Sequence, residues 1–137
     1  RWTVIDPGPD DDGHVRAVLA AAPGPIEAIV LTHSHKDHSP ASRALSAATG
    51  APVWGRWPAH PQGQDAQLAL ERELRHGERL ACAPGAHLRV LHTPGHASNH
   101  LCFLLEEEQL LFTGDHVMQS STVVINPPDG DMVAYLA

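Results

Sequence analysis

The sequence predicts an α/β fold, a sheet whose strands are joined by helical crossovers. Two observations carry that expectation. Short apolar segments of strand length alternate with segments of helical spacing through residues 1–54. The stretch richest in chemistry, His33-Ser34-His35-Lys36-Asp37-His38, follows directly on one such strand and leads into a helix. That is the place where open α/β sheets put their ligands, in the crevice at the carboxyl ends of the strands.

Taken in order, Trp2 to Ile5 reads as a short apolar strand, and Asp6 to Gly13 as a turn-rich acidic loop. The carboxylates of that loop lack the ligand alternation and closing glutamate of an EF-hand, so no calcium site is expected there. His14 to Ala22 reads as a helix with Val15, Val18 and Leu19 on one face, ended by Pro23-Gly24-Pro25. Glu27 to Leu31 is a buried strand. Ser39 to Thr49 follows as an alanine-rich helix, with Ser39 as N-cap, Pro40 at the first helical position and Gly50 as C-cap. Ala51 to Trp54 is the next strand.

Gly55 to Gln67 is irregular. Trp54 and Trp57 either line an entrance or pack on the rim of that loop, and packing is the preferred reading. Leu68 to Leu74 has helical spacing, with a strand as the alternative. Arg79 to Cys82 and His87 to His92 read as strands around Pro84-Gly85. His100 to Leu105 and Gln109 to Phe112 read as strands joined by the acidic turn Glu106 to Glu108. Thr122 to Ile125 is a further apolar stretch, and Asp131 caps a last helix. His60 is read as solvated, His76 as support for a turn, His92 as a strand-end histidine, and His116 is left without a role.

The chain of 137 residues is enough for one small domain. It carries a formal charge of −7, which disfavours a broad basic face for nucleic acid. No apolar run approaches the roughly 20 residues of a membrane span. Cys82 and Cys102 are too few for a disulfide framework, so free thiols in a reducing, cytoplasmic setting are expected.

The loop after Leu31 packs His33, His35, Asp37 and His38 into six positions. Imidazole and carboxylate are donors for zinc, iron or manganese. In an extended segment residues i and i+2 point the same way, so His33 and His35 can grip one ion. Asp37 and His38 lie past the turn and suit a second ion nearby. A polar loop needs turn residues and has no use for three imidazoles, so chance clustering is a poor account of the pattern.

His33-Ser34-His35-Lys36-Asp37-His38 resembles the HxHxDH signature of the metallo-β-lactamase superfamily. Val4-Ile5-Asp6-Pro7-Gly8, Thr93-Pro94-Gly95-His96 and Phe112-Thr113-Gly114-Asp115 agree with it in order and spacing, across almost the whole chain. Asn126-Pro127-Pro128-Asp129-Gly130-Asp131-Met132 resembles the branch close to β-lactamase-like protein 2, with the glyoxalase II branch next. The resemblance implies an αββα sandwich with the N-terminal αβ half mostly present and the C-terminal half missing. It implies one domain over residues 1–137, incomplete at both ends.

It also implies roles. His96 would complete the ion held by His33 and His35. Asp115 would be a carboxylate shared with a second ion on Asp37 and His38, and Asp37 and Asp115 would be the catalytic carboxylates. Asp6 is either a turn aspartate or a support beside the metal, and His100 is structural or supporting. True zinc β-lactamases often carry cysteine or serine at the Asp115 position, which turns the expectation from antibiotics toward the esterase or nuclease-like branches. The second ion usually takes a further histidine beyond this chain's end, so its site is expected to be the weaker. Zinc is the expected metal, with iron and manganese as alternatives.

Two dications about 3.5–4 Å apart would hold a hydroxide at neutral pH for attack on an acyl carbonyl. A metal-dependent hydrolase of a thioester, ester or related small acyl substrate is the leading expectation. A metal-dependent endoribonuclease and a zinc-binding fragment without activity are the alternatives. Redox chemistry at a di-iron site usually calls for glutamate where His35 stands. No membrane association is expected, and self-association is expected from an exposed sheet edge.

Overall fold

Strand β1 (Trp2–Ile5) lies parallel to β2 (Ile26–Val30), with Val4 opposite Ile29 and Ile5 opposite Val30. The computed structural model describes all of residues 1–137. Helix α1 (Asp12–Ala21) makes the crossover, and α2 (Ala41–Thr49) the next one, to β3 (Val53–Gly55). The two-residue strand β4 (Arg72–Glu73) completes a parallel sheet in the order β1-β2-β3-β4. A second, antiparallel sheet runs β5 (Arg79–Ala83), β6 (Ala86–His92), β7 (Leu101–Leu105), β8 (Leu110–Phe112). Helix α3 (Met132–Leu136) is capped by Asp131, whose carboxylate accepts from the Val133 and Ala134 amides.

Two apolar clusters set the layers. Ile26, Ile29, Leu31, Leu45, Ala51 and Val53 fill the space between the first sheet and its helices. Val30 and Leu74 meet Leu80, Leu88, Val90, Leu101 and Phe103 between the sheets. Period-2 alternation decides this, since Ile29 and Val30 are neighbours that point to opposite faces and are both fully buried. The outer face of the second sheet has no comparable cover: Arg89 and Leu104, paired across β6 and β7, are half-exposed. Three layers of the expected αββα sandwich are thus built. No helix is long and apolar enough to cross a membrane.

Three local expectations are corrected. Helix α1 starts earlier than His14, because Asp11 caps it by accepting from the His14 amide at 2.7 Å. Helix α2 is not capped by Ser39: Pro40 holds the cap position in helical conformation, and no side chain caps it. The Ser39 hydroxyl is diverted to Asp65 Oδ2 at 3.1 Å. Leu68 to Leu74 is not a helix; its chain hydrogen-bonds along β3, Glu71 N to Val53 O and Leu74 N to Gly55 O, which buries Leu74 completely. Gly50 does end α2 in the left-handed conformation, at φ 74°.

Candidate metal centre

The carboxyl ends of β1 and β2 and the ends of β6 and β8 converge at one edge of the two sheets. The join is a backbone bond, Leu101 N to Thr32 O at 2.7 Å. Onto this edge β2 delivers Thr32 to His38, β1 delivers Asp6, the turn after β6 delivers His96, and the turn after β8 delivers Asp115. Gly114 has φ 49°, and a Cβ there would lie 2.7 Å from His100 Nε2, so the Asp115 turn passes where only glycine fits.

All six predicted ligand residues come together, in two groups. His33, His35 and His96 present ring nitrogens within 4.8 Å of one another, and Asp37, His38 and Asp115 form a second such group. Asp115 faces both: its Oδ2 is 3.4 Å from His96 Nε2 and 3.9 Å from His33 Nε2, while its Oδ1 is 3.4 Å from His38 Nε2. Asp37 is the outlier, with a side chain 77% exposed and its Oδ2 3.5 Å from His38 Nε2.

The outer hydrogen bonds fix the tautomers. The Thr32 hydroxyl donates to Asp6 Oδ2, so it accepts from His33 Nδ1 at 2.9 Å, and His33 Nε2 is left with a lone pair. That nitrogen is buried and has no hydrogen-bond partner. His38 Nδ1 donates to Asp6 Oδ2 at 2.9 Å, turning Nε2 toward Asp37 and Asp115. His96 Nδ1 donates to Val124 O at 2.5 Å, turning Nε2 toward His35 Nδ1 at 3.0 Å. An orphaned buried acceptor such as His33 Nε2 costs about 1–3 kcal/mol. The donor set and its orientation therefore fit a borderline dication.

The electrostatics agree for His33 and His35. Burial, then the neighbouring imidazoles, push His33 far down, and burial and His96 lower His35, so both stay neutral. Burial also pulls on His38, but the Asp6 hydrogen bond and the charges of Asp6, Asp115 and Asp37 outweigh it and leave its pKa raised. A proton therefore competes with any cation for His38 Nε2.

Asp6 stands as a support beside the centre, at φ 48°, accepting from the Thr32 amide at 2.7 Å as well. His100 supports from the other side: its Nε2 accepts from the Asp115 amide at 3.1 Å, and its Nδ1 therefore donates to Thr93 Oγ1 at 2.9 Å. Burial, then His96 and other imidazoles, depress its pKa to about 3. His76 accepts from the His92 amide, and His92 Nε2 donates to Ser98 O, so neither reaches the centre. Trp57 is 49% exposed on the rim, and Trp54 lies under the Arg72 guanidinium at 5.1 Å.

Sequence reasoning passed over the polar residues that brace the ligand loop. Ser34, between two ligand candidates, donates to Gln64 Oε1 at 2.6 Å and accepts from Asn99 Nδ2 at 2.8 Å. Asp65 ties this loop to Arg43 of α2 at 3.0 Å, and its own amide donates to Ser34 O at 2.7 Å. The sequence signal was slight, a Gln-Asp pair inside an irregular loop.

A family model described as the metallo-beta-lactamase superfamily matches residues 1–136. An atrochrysone carboxyl ACP thioesterase of Aspergillus chevalieri is 35% identical over 125 residues, 89% of this chain and 36% of that protein. The thioesterase pkgB of Emericella nidulans is 41% identical over 93 residues, 68% of this chain and 25% of its own length. The chain thus spans about a third or less of the length of these relatives. Among solved structures, TTHA1623 in a di-iron-bound form is 28% identical, with a TM-score of 0.79 over 96% of this chain and 70% of that one. The metallo-beta-lactamase family protein TTHA1429 of Thermus thermophilus is 25% identical, with a TM-score of 0.76 over 96% of this chain and 57% of its own.

Proposed function

The chain belongs to the metallo-β-lactamase superfamily, and from that premise we propose that it serves a metal-dependent hydrolase acting on thioesters, esters or related small acyl substrates. The observation that carries the reading is the pair of donor groups joined by Asp115, with one carboxylate oxygen facing each. Relatives named as thioesterases support the acyl class.

His33, His35 and His96 would hold one dication, and Asp37, His38 and Asp115 a second. Zinc is the metal we propose, and iron is the alternative that the di-iron neighbour supports. Bound dications supply Lewis acidity toward the acyl carbonyl and a lowered pKa for water. The chain's own contribution is orientation. Thr32, Asp6 and Val124 O hold the Nδ1 protons of His33, His38 and His96 away from the centre, so that each Nε2 presents a lone pair. His100 holds the Asp115 amide, fixing the carboxylate between the groups. Asp37 and Asp115 would be the carboxylates that accept a proton released near the carbonyl. The free thiols of Cys82 and Cys102 support a reducing, cytoplasmic setting.

The test is metal content per chain by plasma mass spectrometry, followed by hydrolysis of an acyl-thioester, ester and RNA panel with and without chelator. One to two ions and chelator-sensitive thioester cleavage are expected. A folded protein that takes up no dication, or that cleaves only RNA, would overturn the reading.

A further inference from the structure

Asp129 is a carboxylate 6% exposed, and neither a ligand group nor the proposed chemistry uses it. Its Oδ1 accepts from the Ser98 hydroxyl at 2.5 Å and the His60 amide at 3.2 Å. Its Oδ2 accepts from Gln64 Nε2 at 2.8 Å and the Ser98 amide at 3.1 Å. Four donors on two oxygens make full use of an acceptor-only group, and no cation is among them.

These bonds run in two directions. Through Gln64 the carboxylate reaches Ser34, in the middle of the ligand loop. Through Ser98 it grips the turn that carries His96, and Asp131 N adds a second fastening to that turn at Gly95 O, 2.8 Å. The segment so fastened brings Val124 O to His96 Nδ1. It also closes back on itself, Gly130 N to Asn126 O at 2.8 Å, so tightly that a Cβ on Gly130 would lie 2.6 Å from the Asn126 nitrogen. Between this segment and Gln62-Gly63 lies a cavity of about 220 Å³ that opens onto His35 and His96.

We propose that Asp129 is a positioning residue: it bolts residues 124–131 against the His96 turn and thereby fixes the tautomer of His96 and one wall of the cavity beside the metal centre. The inference rests on the metal reading for its purpose but not for its geometry. An amide cannot replace the carboxylate, because whichever way Asn is turned its NH2 meets two of the four donors.

The test compares Asp129→Asn with Leu105→Ala, a change at the edge of the inter-sheet core far in kind from this network. The readouts are the His96 ring ¹⁵N shifts in metal-free protein, which report the tautomer, and zinc affinity by chelator competition. In Asp129→Asn the Nδ1-protonated signature of His96 is expected to give way to a mixture, and zinc affinity to fall about 10- to 100-fold. Leu105→Ala lowers thermal stability and leaves both readouts in place. Should Asp129→Asn not fold, Ser98→Ala, which removes the shortest bond, carries the same test with a smaller shift. Unchanged His96 shifts in the folded variant overturn the proposal. Wild-type protein that binds no zinc overturns the metal reading instead, and the tautomer signature then decides Asp129 alone.

Discussion

Burial, then the neighbouring imidazoles of His96 and His116, hold His100 neutral inside the centre, with a pKa of about 3 against 6.5 when unfolded. The unfolded chain therefore takes up a proton that the folded one refuses. The stabilising difference is present above pH 6.5 and is lost as pH falls toward 3, with His33 acting in the same sense. Each such proton contributes a slope of up to about 1.4 kcal/mol per pH unit. In metal-free protein, urea midpoints are expected to fall steeply between pH 6.5 and 5. The variant His100→Gln, which keeps an acceptor for the Asp115 amide and a donor for Thr93, should flatten that slope. An unaltered slope would mean that His100 titrates freely. The opposite sign holds for His38, whose raised pKa adds stability below 6.5 that is lost as pH rises through the folded value. Asp6→Asn removes its main support and should lower the NMR-titrated pKa of His38, with a stability loss of about 1–3 kcal/mol near pH 6. The ligand candidates were legible in the sequence because they are local: four stand within six positions, and His96 and Asp115 each follow a strand at a turn. Asp129, Gln64 and Ser34 were not, because their partners lie 30 to 69 residues away.

At the scale of elements, strands were legible wherever apolar alternation met a turn signal, as in β5 and β6 around Pro84-Gly85. Helix starts were not, because capping depends on which acceptor a hydroxyl finds in three dimensions. Asp65 captured Ser39, and residues 68–74 followed the β3 backbone against their helical spacing. Among the apolar strands the least protected is β8. It is the last strand of its sheet, and Leu110, Leu111 and Phe112 are 50%, 46% and 37% exposed. An apolar edge with unpaired backbone groups invites pairing with another chain. Sedimentation velocity should therefore detect concentration-dependent association, and Leu111→Lys should suppress it without changing the circular dichroism. A wild-type protein monodisperse at high concentration would remove the β8 edge as an association surface.

At the scale of the molecule, the centre joins two sheets that also share an apolar cluster and the Leu101 N to Thr32 O bond. The first sheet contributes His33, His35, Asp37 and His38, and His96 and Asp115 come from the second. Without an ion, the two sheets meet at this edge through a His35 Nδ1–His96 Nε2 hydrogen bond of 3.0 Å, and His33 Nε2 goes unpaired. An ion bound there would satisfy His33 Nε2 and cross-link the sheets, and to the extent that it prefers the folded form it would stabilise by mass action. Zinc at about 100 times its Kd should contribute about 2.7 kcal/mol. For a chain of this length that is a rise in Tm of roughly 10 °C. The increment should vanish in His96→Ala, which removes the second sheet's imidazole. It should largely survive in Asp37→Ala, because that side chain is mostly in solvent. Differential scanning calorimetry with and without zinc on the three proteins measures both. An equal increment in His96→Ala would place the ion on the first sheet alone, and the centre would then not be the tie between the sheets.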